Sequence, residues 1–371
     1  MSFRIPLPLL YTLALAVPLL ATFLLTPAAA WVARRFDVLD QPGDHKVHQR
    51  ATPYLGGLAV GIGLLLVAGI SGGVSGQILM VALGAIGLSL LGLMDDQRLV
   101  GPWLKVLVEA AAGLALWMVG IRAGLFGDPA LDLVLTVLWV VAVTNAINML
   151  DNMDGLASGV TAVSAFGFFA IAAMEGDYLV ASLSLAVVGA CLGFLPHNFP
   201  PARIFLGDAG TLCLGFLLAA LGLKLDLVGE RGLIRSAIPV LALGVPIFDA
   251  AVAVVARIRE GRPIYVGGID HLSHRLAGVG LTPVAVAVVF YATQGALSVM
   301  AVVLLDVSSS VALAIVVGLG SLAGVGVLAV QRITPIRPVV LATSEPSANR
   351  EGRLGSPQRD RGRPTRGGRV G

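Results

Sequence analysis

Charged side chains are scarce in this 371-residue chain, where Asp, Glu, Lys and Arg together make up 13% of the residues. Aromatic residues are also few, at 6%, whereas hydrophobic residues reach 57% and the mean hydropathy is +0.90. Soluble globular domains carry about 25% charged residues, so this composition excludes an ordinary soluble domain. It indicates an integral membrane protein.

Cysteine is nearly absent as well, with only Cys191 and Cys213 in the chain. Both lie within apolar runs and have no partner at metal-ligand spacing, so we expect buried thiols rather than a disulfide or a ligand pair. No His-x-x-x-His or paired-Cys spacing occurs, which argues against zinc. Glycine, in contrast, occurs 46 times. With so few aromatic residues, the helices are expected to pack closely on small faces.

Long apolar runs determine the predicted architecture, because a helix needs about 20 apolar residues to cross a bilayer. We predict an all-α polytopic membrane protein with about 10–11 transmembrane helices. The eleven candidate spans are 7–31, 55–71, 77–94, 103–123, 131–148, 156–174, 179–197, 210–225, 233–256, 283–305 and 311–330. Arg4 and the stretch Ala28 to Ala30 are also typical of a cleaved signal peptide, but Arg34 and Arg35 directly after the run favour a membrane helix.

Basic residues predict the orientation of these spans. Twenty of the 25 Lys and Arg residues fall on one side of the alternating path and five on the other, which makes the first side cytoplasmic. We predict a membrane domain over 1–331 and an Arg-, Pro- and Gly-rich, disordered cytoplasmic tail over 332–371. The Arg cluster of the tail is compatible with anionic lipid or nucleic acid, but a solvated end that fixes orientation is the simpler interpretation, so no nucleic-acid partner is expected.

Acidic, amide and basic side chains collect at the predicted cytoplasmic ends of separate spans. They are Asp95, Asp96, Asn148, Asp151, Asp154, Asn198, Asp208, Asp270, His271, His274 and Arg275. An acid at mid-bilayer costs roughly 2.5–3.5 kcal/mol, so these groups must sit at the interface, in water or on a cation. Because separate loops bring them to one membrane face, we predict a shared polar site.

The stretch NAINMLDNMDG, residues 145–155, spaces Asn145, Asn148, Asp151 and Asp154 three apart. On a helix this spacing forms a short polar stripe that faces a cavity. Oxygen ligands of this kind suit Mg²⁺, which usually takes one or two carboxylates together with water and substrate phosphates. Basic residues at the same face are candidates to neutralise phosphate, although an isolated Lys or Arg at a membrane edge is usually an orientation signal. They are Lys46, Lys105, Arg203 and Arg275.

Five motifs follow one another along the predicted cytoplasmic face. They are DQPGDHKVHQRATPYLGG at 40–57, LGLMDDQ at 91–97, NAINMLDNMDGLASG at 145–159, FLPHNFPPARIFLGDAGTLCLG at 194–215 and PIFDAAVAVVARIREGRPIYVGGIDHLSHRL at 246–276. In this order the chain resembles the polyprenyl-phosphate N-acetylhexosamine-1-phosphate transferase superfamily, glycosyltransferase family 4. The terminal His-Arg pair favours its undecaprenyl- and decaprenyl-phosphate N-acetylglucosamine-1-phosphate transferase branch over the phospho-MurNAc-pentapeptide branch.

The resemblance implies a multi-pass enzyme of the bacterial inner membrane whose catalytic loops face the cytoplasm. Its reaction would transfer N-acetylhexosamine 1-phosphate from a UDP-sugar to polyprenyl phosphate and release UMP, with Mg²⁺ or, as an alternative, Mn²⁺. The expected partners are the UDP-N-acetylhexosamine, the polyprenyl phosphate lipid and the membrane, with a homodimer as one expected assembly.

The resemblance also implies roles for individual residues. Asp208 of LGDAG would be the principal Mg²⁺ ligand, with Asp95 and Asp151 as further metal ligands. Asp95 and Asp96 stand where the family places a base for the lipid phosphate or a nucleophile. We favour direct attack by the lipid phosphate, which is already anionic, while a covalent aspartyl intermediate stays open.

Substrate contacts carry over in the same way. Asn148, Asp151, Asp154 and Asn198 would hold the nucleotide sugar, and Phe205 would stack on the uracil, although a Phe at a membrane edge is often packing. Residues implied to contact the pyrophosphate or sugar phosphate are Lys46, His48, Lys105, His271, His274 and Arg275. Asp249 is expected to serve a polar network.

Three positions depart from the family pattern: Ser273 replaces a common His, Asn152 a common Gly and Tyr54 a common Arg. Three alternative functions are a phospho-MurNAc-pentapeptide transferase, a CDP-alcohol phosphotransferase and a cation-coupled transporter. The CDP-alcohol family requires Arg and Asp after Gly155, yet 156–176 contains neither. A transporter would place its acids near span centres rather than at their ends.

Overall fold

A computed structural model describes residues 6–40, 51–68, 75–98, 100–225 and 236–335, except for the side chain of Arg98. All of these residues belong to one compact unit. Lys46 and His48 lie outside the described residues, and so does the tail beyond residue 335. The predictions for the tail and for these two basic residues therefore remain predictions.

The described residues form thirteen helices and one two-stranded ribbon. The helices are α1 (Leu7–Arg35), α2 (Gly56–Ala68), α3 (Gly76–Arg98), α4 (Pro102–Met118), α5 (Pro129–Leu150), α6 (Leu156–Glu175), α7 (Tyr178–Asn198), α8 (Gly207–Lys224), α9 (Ala237–Ala242), α10 (Gly244–Arg259), α11 (Leu272–Gly278), α12 (Pro283–Val303) and α13 (Ser309–Val330). The ribbon pairs β1 (Leu39–Asp40) antiparallel with β2 (Thr52–Pro53). The all-α polytopic prediction is confirmed.

Eight helices of the described part are long and apolar enough to cross a membrane. The structure places a helix at each of the eleven predicted spans, and the helix at 103–123 is shorter than predicted, as α4. The predicted span 55–71 contains α2, and residues 69–71 lie outside the described residues. The run at 233–256 is not continuous, because its described part breaks at Leu243 into α9 and α10. The buried Gln294 of α12 bridges the break by accepting from the Val245 N–H at 3.0 Å and donating to the Ala242 carbonyl at 2.8 Å. A break inside the membrane is tolerated when its backbone groups find such partners.

The centre of the bundle is made by α6, α7 and α8, whose apolar side chains are mostly buried. Phe168, Phe194 and Phe216 are fully buried among them. The predicted thiols Cys191 and Cys213 are free and buried in the same core, which confirms that prediction. The outer helices expose large apolar residues such as Leu24 and Leu328, as expected of surfaces that face lipid rather than water.

Glycine allows the central helices to meet backbone to backbone. A Cβ on Gly92 of α3 would lie 2.3 Å from the Asp208 carbonyl at the start of α8, and one on Gly57 of α2 would lie 2.2 Å from the Gly210 nitrogen. The expected packing on small faces is therefore found. These contacts bring the ends of α2 and α3 against the first turn of α8, where several of the predicted functional acids lie.

Substituting Gly92→Ala should destabilise the protein by about 1–3 kcal/mol, because the added methyl group has to displace the backbone of α8. The matched control is Gly87→Ala on the same helix, where a Cβ would meet nothing within 4 Å. Ala is the better helix former, so the control should be neutral or slightly stabilising. Thermal unfolding in detergent measures both, and equal melting temperatures for the two variants would contradict this packing.

Candidate active site

An ammonium group joins two acids at one end of the bundle. Lys105, in the first turns of α4, contacts Asp95 near the end of α3 and lies 2.6 Å from Asp208 Oδ2 at the start of α8. Asn148, near the end of α5, donates to the other oxygen of Asp208 at 2.9 Å. Four helices thus supply one half-buried cluster of two carboxylates, one cation and one amide. We call Asp95, Lys105, Asn148 and Asp208 the ionic cluster.

Asp96 lies beside the ionic cluster but points at backbone. Its carboxylate accepts from the N–H groups of Asp208 at 3.0 Å and Ala209 at 3.3 Å, which are among the unpaired donors at the start of α8. An acid at a helix N-terminus is stabilised by the helix dipole. Gly207 turns the chain into this contact with a φ of 70°, and a Cβ there would lie 2.7 Å from the Asp96 carboxylate. The structure therefore shows Asp96 as a partner of the first turn of α8, and its predicted catalytic role stays a prediction.

A cavity of about 480 Å³ opens next to these acids. Predicted site residues that line it are Asp96, Asp151, Asp154, Asn198, Phe205 and His274. Tyr54 and Asn152, two of the positions that depart from the family pattern, line it too. A cavity of this size with several convergent polar groups is typical of a small-molecule site.

The segment Asp151 to Gly155 forms one wall of the cavity and is held by contacts from three sides. Gly155 adopts a φ of 73°, a conformation that favours glycine. Its N–H donates to Asn198 Oδ1 at 3.0 Å, and its carbonyl accepts from the Tyr291 hydroxyl at 2.6 Å. Asp154 accepts from the Ala202 N–H at 2.9 Å. Both predicted nucleotide contacts, Asn198 and Asp154, thus have backbone partners that position this loop.

Asp151, in the same wall, is a buried acid close to two other carboxylates. Burial, followed by repulsion from Asp208 and Asp96, raises the pKa of its carboxyl to about 7, although the Gly207 N–H donates to it and opposes the shift. A carboxyl in such surroundings is stabilised in its charged form by a nearby cation. This wall therefore favours a bound cation or a ligand that donates hydrogen bonds to the Asp151 carboxylate.

The predicted His271 and Arg275 do not line the cavity. His271 Nδ1 lies 2.7 Å from Asp249 Oδ2, and Asp249 also accepts from the Leu272 N–H at 2.8 Å. Asp249 is fully buried, so the polar network expected of it is present. Arg275 donates to the Val330 and Ile333 carbonyls at the end of α13, at 3.2 and 2.6 Å. The structure places Arg275 at the end of α13, and its predicted phosphate contact stays a prediction.

His274 differs from its neighbours because it is 4% exposed and its Nδ1 has no hydrogen-bond partner. Burial, followed by the proximity of His271, lowers the pKa of His274 to about 4. At neutral pH it is therefore an uncharged imidazole on the cavity wall with one unsatisfied ring nitrogen. A buried polar atom without a partner is uncommon in folded proteins.

The ionic cluster has the donor chemistry of a Mg²⁺ site, but the protein alone does not complete one. Within the described ranges, no three acidic, His or Cys side chains are grouped so that they could hold a metal ion. Mg²⁺ usually takes only one or two carboxylates and completes its shell with water and phosphate oxygens, and Asp95 and Asp208 face a single cation position. The Lys105 ammonium holds that position here. The assignment of Asp208, Asp95 and Asp151 as ligands stays a prediction.

Comparison with known proteins identifies the family of this chain. The model of glycosyl transferase family 4 matches residues 78–226, from α3 to just beyond α8. A probable undecaprenyl-phosphate N-acetylglucosaminyl 1-phosphate transferase of Bacillus subtilis (strain 168) is 36% identical over 303 residues, which cover 78% of this chain and 84% of that protein. The chain belongs to glycosyl transferase family 4.

Other relatives in glycosyl transferase family 4 indicate the branch. The decaprenyl-phosphate N-acetylglucosaminephosphotransferase of Mycobacterium leprae (strain TN) is 30% identical over 313 residues, covering 74% of this chain and 78% of that protein. A phospho-N-acetylmuramoyl-pentapeptide-transferase of Heliobacterium modesticaldum (strain ATCC 51547 / Ice1) is 33% identical over only 207 residues, which cover 48% of this chain and 63% of that protein. The resemblance to the N-acetylglucosamine branch is confirmed, and so is the prediction of a glycosyl-1-phosphate transferase.

Two departures from the pattern of glycosyl transferase family 4 contact each other. Ser273, at the start of α11, donates to the Asn152 side-chain oxygen at 2.5 Å, and the Asn152 amide donates to the Met149 carbonyl at 2.9 Å. Ser273 directly precedes His274, so this bond ties the loop after α5 to the element that carries the imidazole. Nothing in the sequence indicated that the two departures were neighbours.

Sequence reasoning also missed Tyr291, which holds the carbonyl of Gly155 from α12. It lies in the apolar run after the last family motif, which ends at residue 276, so no pattern pointed to it. The only local signal is on the other side of the contact, at Gly159, where a Cβ would lie 2.1 Å from the Tyr291 ring.

The lowered pKa of His274 predicts how stability depends on pH. Between pH 6.5 and about 4 the unfolded chain binds a proton that the folded chain does not, so this residue destabilises the folded state as the pH falls. Replacing His274→Asn removes this effect. The variant should gain stability relative to the parent on going from pH 7 to pH 5, by on the order of 1–2 kcal/mol. Thermal unfolding of both proteins without ligand gives this difference, and parallel pH curves would contradict the burial of an uncharged imidazole.

Proposed function

We propose that this enzyme transfers N-acetylglucosamine 1-phosphate from UDP-N-acetylglucosamine to polyprenyl phosphate with the help of Mg²⁺, giving a polyprenyl-pyrophosphoryl sugar and UMP. The observation that carries the proposal is the ionic cluster, which opens at the end of a membrane bundle beside a polar cavity of about 480 Å³. The names of the Bacillus and Mycobacterium relatives support the choice of sugar and lipid.

Phosphoryl transfer requires that two anions be brought together and neutralised. In this proposal Asp208 and Asp95 hold Mg²⁺, with Asp151 close to the same ion and Mn²⁺ as a substitute. The ion would neutralise phosphate oxygens of the donor when it is bound. Lys105 adds a second positive charge close to these phosphate groups.

The lipid phosphate enters from the membrane edge. Trp103 at the start of α4 is 77% exposed, and Met94 near the end of α3 is 55% exposed, so the cluster lies beside an apolar surface. A phosphate monoester is already anionic near neutral pH and needs no base to act as the nucleophile. Direct attack is therefore the preferred route, and an aspartyl intermediate on Asp95 or Asp96 is the alternative.

The nucleotide sugar occupies the cavity. Phe205 offers a ring on which the uracil can stack, and Asp154 and Asn198 fix the loop that carries Asp151. His274 lines the same cavity and offers an uncharged imidazole to the sugar. Lys46 and His48 are kept as further phosphate contacts from the segment that precedes β2 in the sequence.

The same proposal sets the cellular context. The enzyme is a multi-pass protein of a bacterial inner membrane. The end of the bundle that carries the site faces the cytoplasm, where UDP-sugars are found. The predicted orientation by Lys and Arg residues supports this side. A homodimer is compatible with the extensive apolar surface of the outer helices. The product would start the assembly of a cell-wall or surface polysaccharide.

Purified protein should release UMP when it is supplied with Mg²⁺, polyprenyl phosphate and UDP-N-acetylglucosamine. A coupled assay for UMP and mass spectrometry of the lipid product measure the reaction. UDP-N-acetylgalactosamine and UDP-MurNAc-pentapeptide should give at least tenfold lower rates. Turnover of the pentapeptide donor alone would assign the chain to the other branch, and no turnover with any UDP-sugar would refute the transferase proposal.

Asp208→Asn should lower the rate by at least a thousandfold while the protein stays folded, because the amide keeps the shape of the side chain but loses the charge that holds the cation. Asp306→Asn is the matched control, since Asp306 is exposed in the connection between α12 and α13 at the opposite end of the bundle. The control should retain the parent rate. Full activity of Asp208→Asn would remove Asp208 from the metal site.

A further inference from the structure

Glu109 is a buried acid to which the proposed reaction gives no role. It lies in the middle of α4 and is 0% exposed. Asn145 of α5 donates to its Oε2 at 2.5 Å, whereas its Oε1 has no hydrogen-bond partner although it is buried. A buried carboxylate oxygen without a partner is costly. Its presence inside a membrane protein therefore requires a functional explanation.

Glu109 lies one helical turn below the ionic cluster. Lys105 and Glu109 are four residues apart on α4, so they share one face of the helix. Asn145 and Asn148 are three residues apart on α5, which packs against that face. The upper layer holds Lys105, Asn148 and Asp208, and the lower layer holds Glu109 and Asn145. Side chains on a helix lean toward its N-terminus, so the Glu109 carboxyl leans toward Lys105.

The ionic cluster has room for one cation between its two carboxylates. The Lys105 ammonium contacts both Asp95 and Asp208. A divalent cation held by the same two acids would meet this ammonium at close range, and like charges repel strongly where water is largely excluded. Lys105 therefore has to move when the cation binds, and it needs a second position in which its charge is balanced.

We propose that Glu109 is a positioning residue for Lys105, because its unpaired oxygen receives the ammonium when a divalent cation takes the place between Asp95 and Asp208. This inference rests on the proposed function, since it assumes that a cation binds there. Lys105 then alternates between two sets of acids and stays shielded from water in both. Asn145 holds the Glu109 carboxyl in place through its other oxygen.

The alternative is a purely structural pair, in which Glu109 only fills space and bonds to Asn145 across α4 and α5. Glu109→Gln separates the two, because its amide oxygen can still accept from Asn145 but attracts an ammonium less. Glu109→Asp keeps the negative charge on a side chain that is one methylene shorter. It tests whether the charge alone restores the behaviour of the parent. Glu175→Gln makes the same chemical change at the exposed end of α6, on the opposite side of the bundle, and is the control.

Lysine labelling reports how exposed the Lys105 amine is. The chain has only three lysines, Lys46, Lys105 and Lys224, so each site can be quantified separately. The protein in detergent is treated with an amine-acylating reagent at rising Mg²⁺ concentration, and each site is quantified by mass spectrometry. Lys224, at the other end of the bundle, is the internal reference. Mg²⁺ should change Lys105 labelling less than twofold in the parent, Glu109→Asp and Glu175→Gln. In Glu109→Gln it should raise Lys105 labelling at least fivefold and increase the Mg²⁺ concentration for half-maximal UMP release severalfold.

Equal labelling of Lys105 in the parent and in Glu109→Gln at every Mg²⁺ concentration would overturn the inference. A strong rise of labelling in the parent would do the same without any variant, so the test does not depend on the folding of Glu109→Gln. The proposed function is judged separately, by whether the parent releases UMP from UDP-N-acetylglucosamine. A parent that turns over while the labelling does not depend on Glu109 refutes the role of Glu109 alone.

Discussion

The contact on which the site depends is the one between the Lys105 ammonium and two carboxylates from different helices. Asp95 and Asp208 would repel each other at the edge of a membrane, where little water is present to screen them. A cation between them turns this repulsion into an attraction that joins α3, α4 and α8. The same arrangement is poised for the proposed chemistry, because any cation that replaces the ammonium meets two preformed oxygen donors.

Small residues make that contact geometrically feasible. Gly92 and Gly57 remove side chains where α2 and α3 cross the first turn of α8. The helices therefore approach until the Asp96 carboxylate reaches the backbone donors of α8. A chain with larger residues at these crossings would hold the same acids too far apart. Charge and packing thus act together, since glycine sets the distance and the ammonium makes that distance favourable.

Much of the fold could be predicted because lipid imposes a strict rule: long apolar runs become helices, and acids move to their ends. The same rule predicted that Asp95, Asp96, Asp151, Asp154 and Asp208 would gather. It did not predict that Asp270 would pair with Arg257 and Arg262 instead. It could not reveal the break at Leu243, which depends on Gln294 from a distant helix. Nor could it place Arg275, since a basic residue suits a phosphate or a helix C-terminus equally well and only the position of α13 decides.

The Tyr291 hydroxyl on Gly155 and the Tyr291 ring against Gly159 have a consequence for how this sequence can evolve. A side chain at Gly159 requires a smaller residue in place of the tyrosine, and losing the tyrosine leaves the Gly155 carbonyl without its donor. Substitutions at Gly159 and Tyr291 are therefore tolerated only when both positions change together. Across descendants of this chain they should covary, although 131 residues separate them.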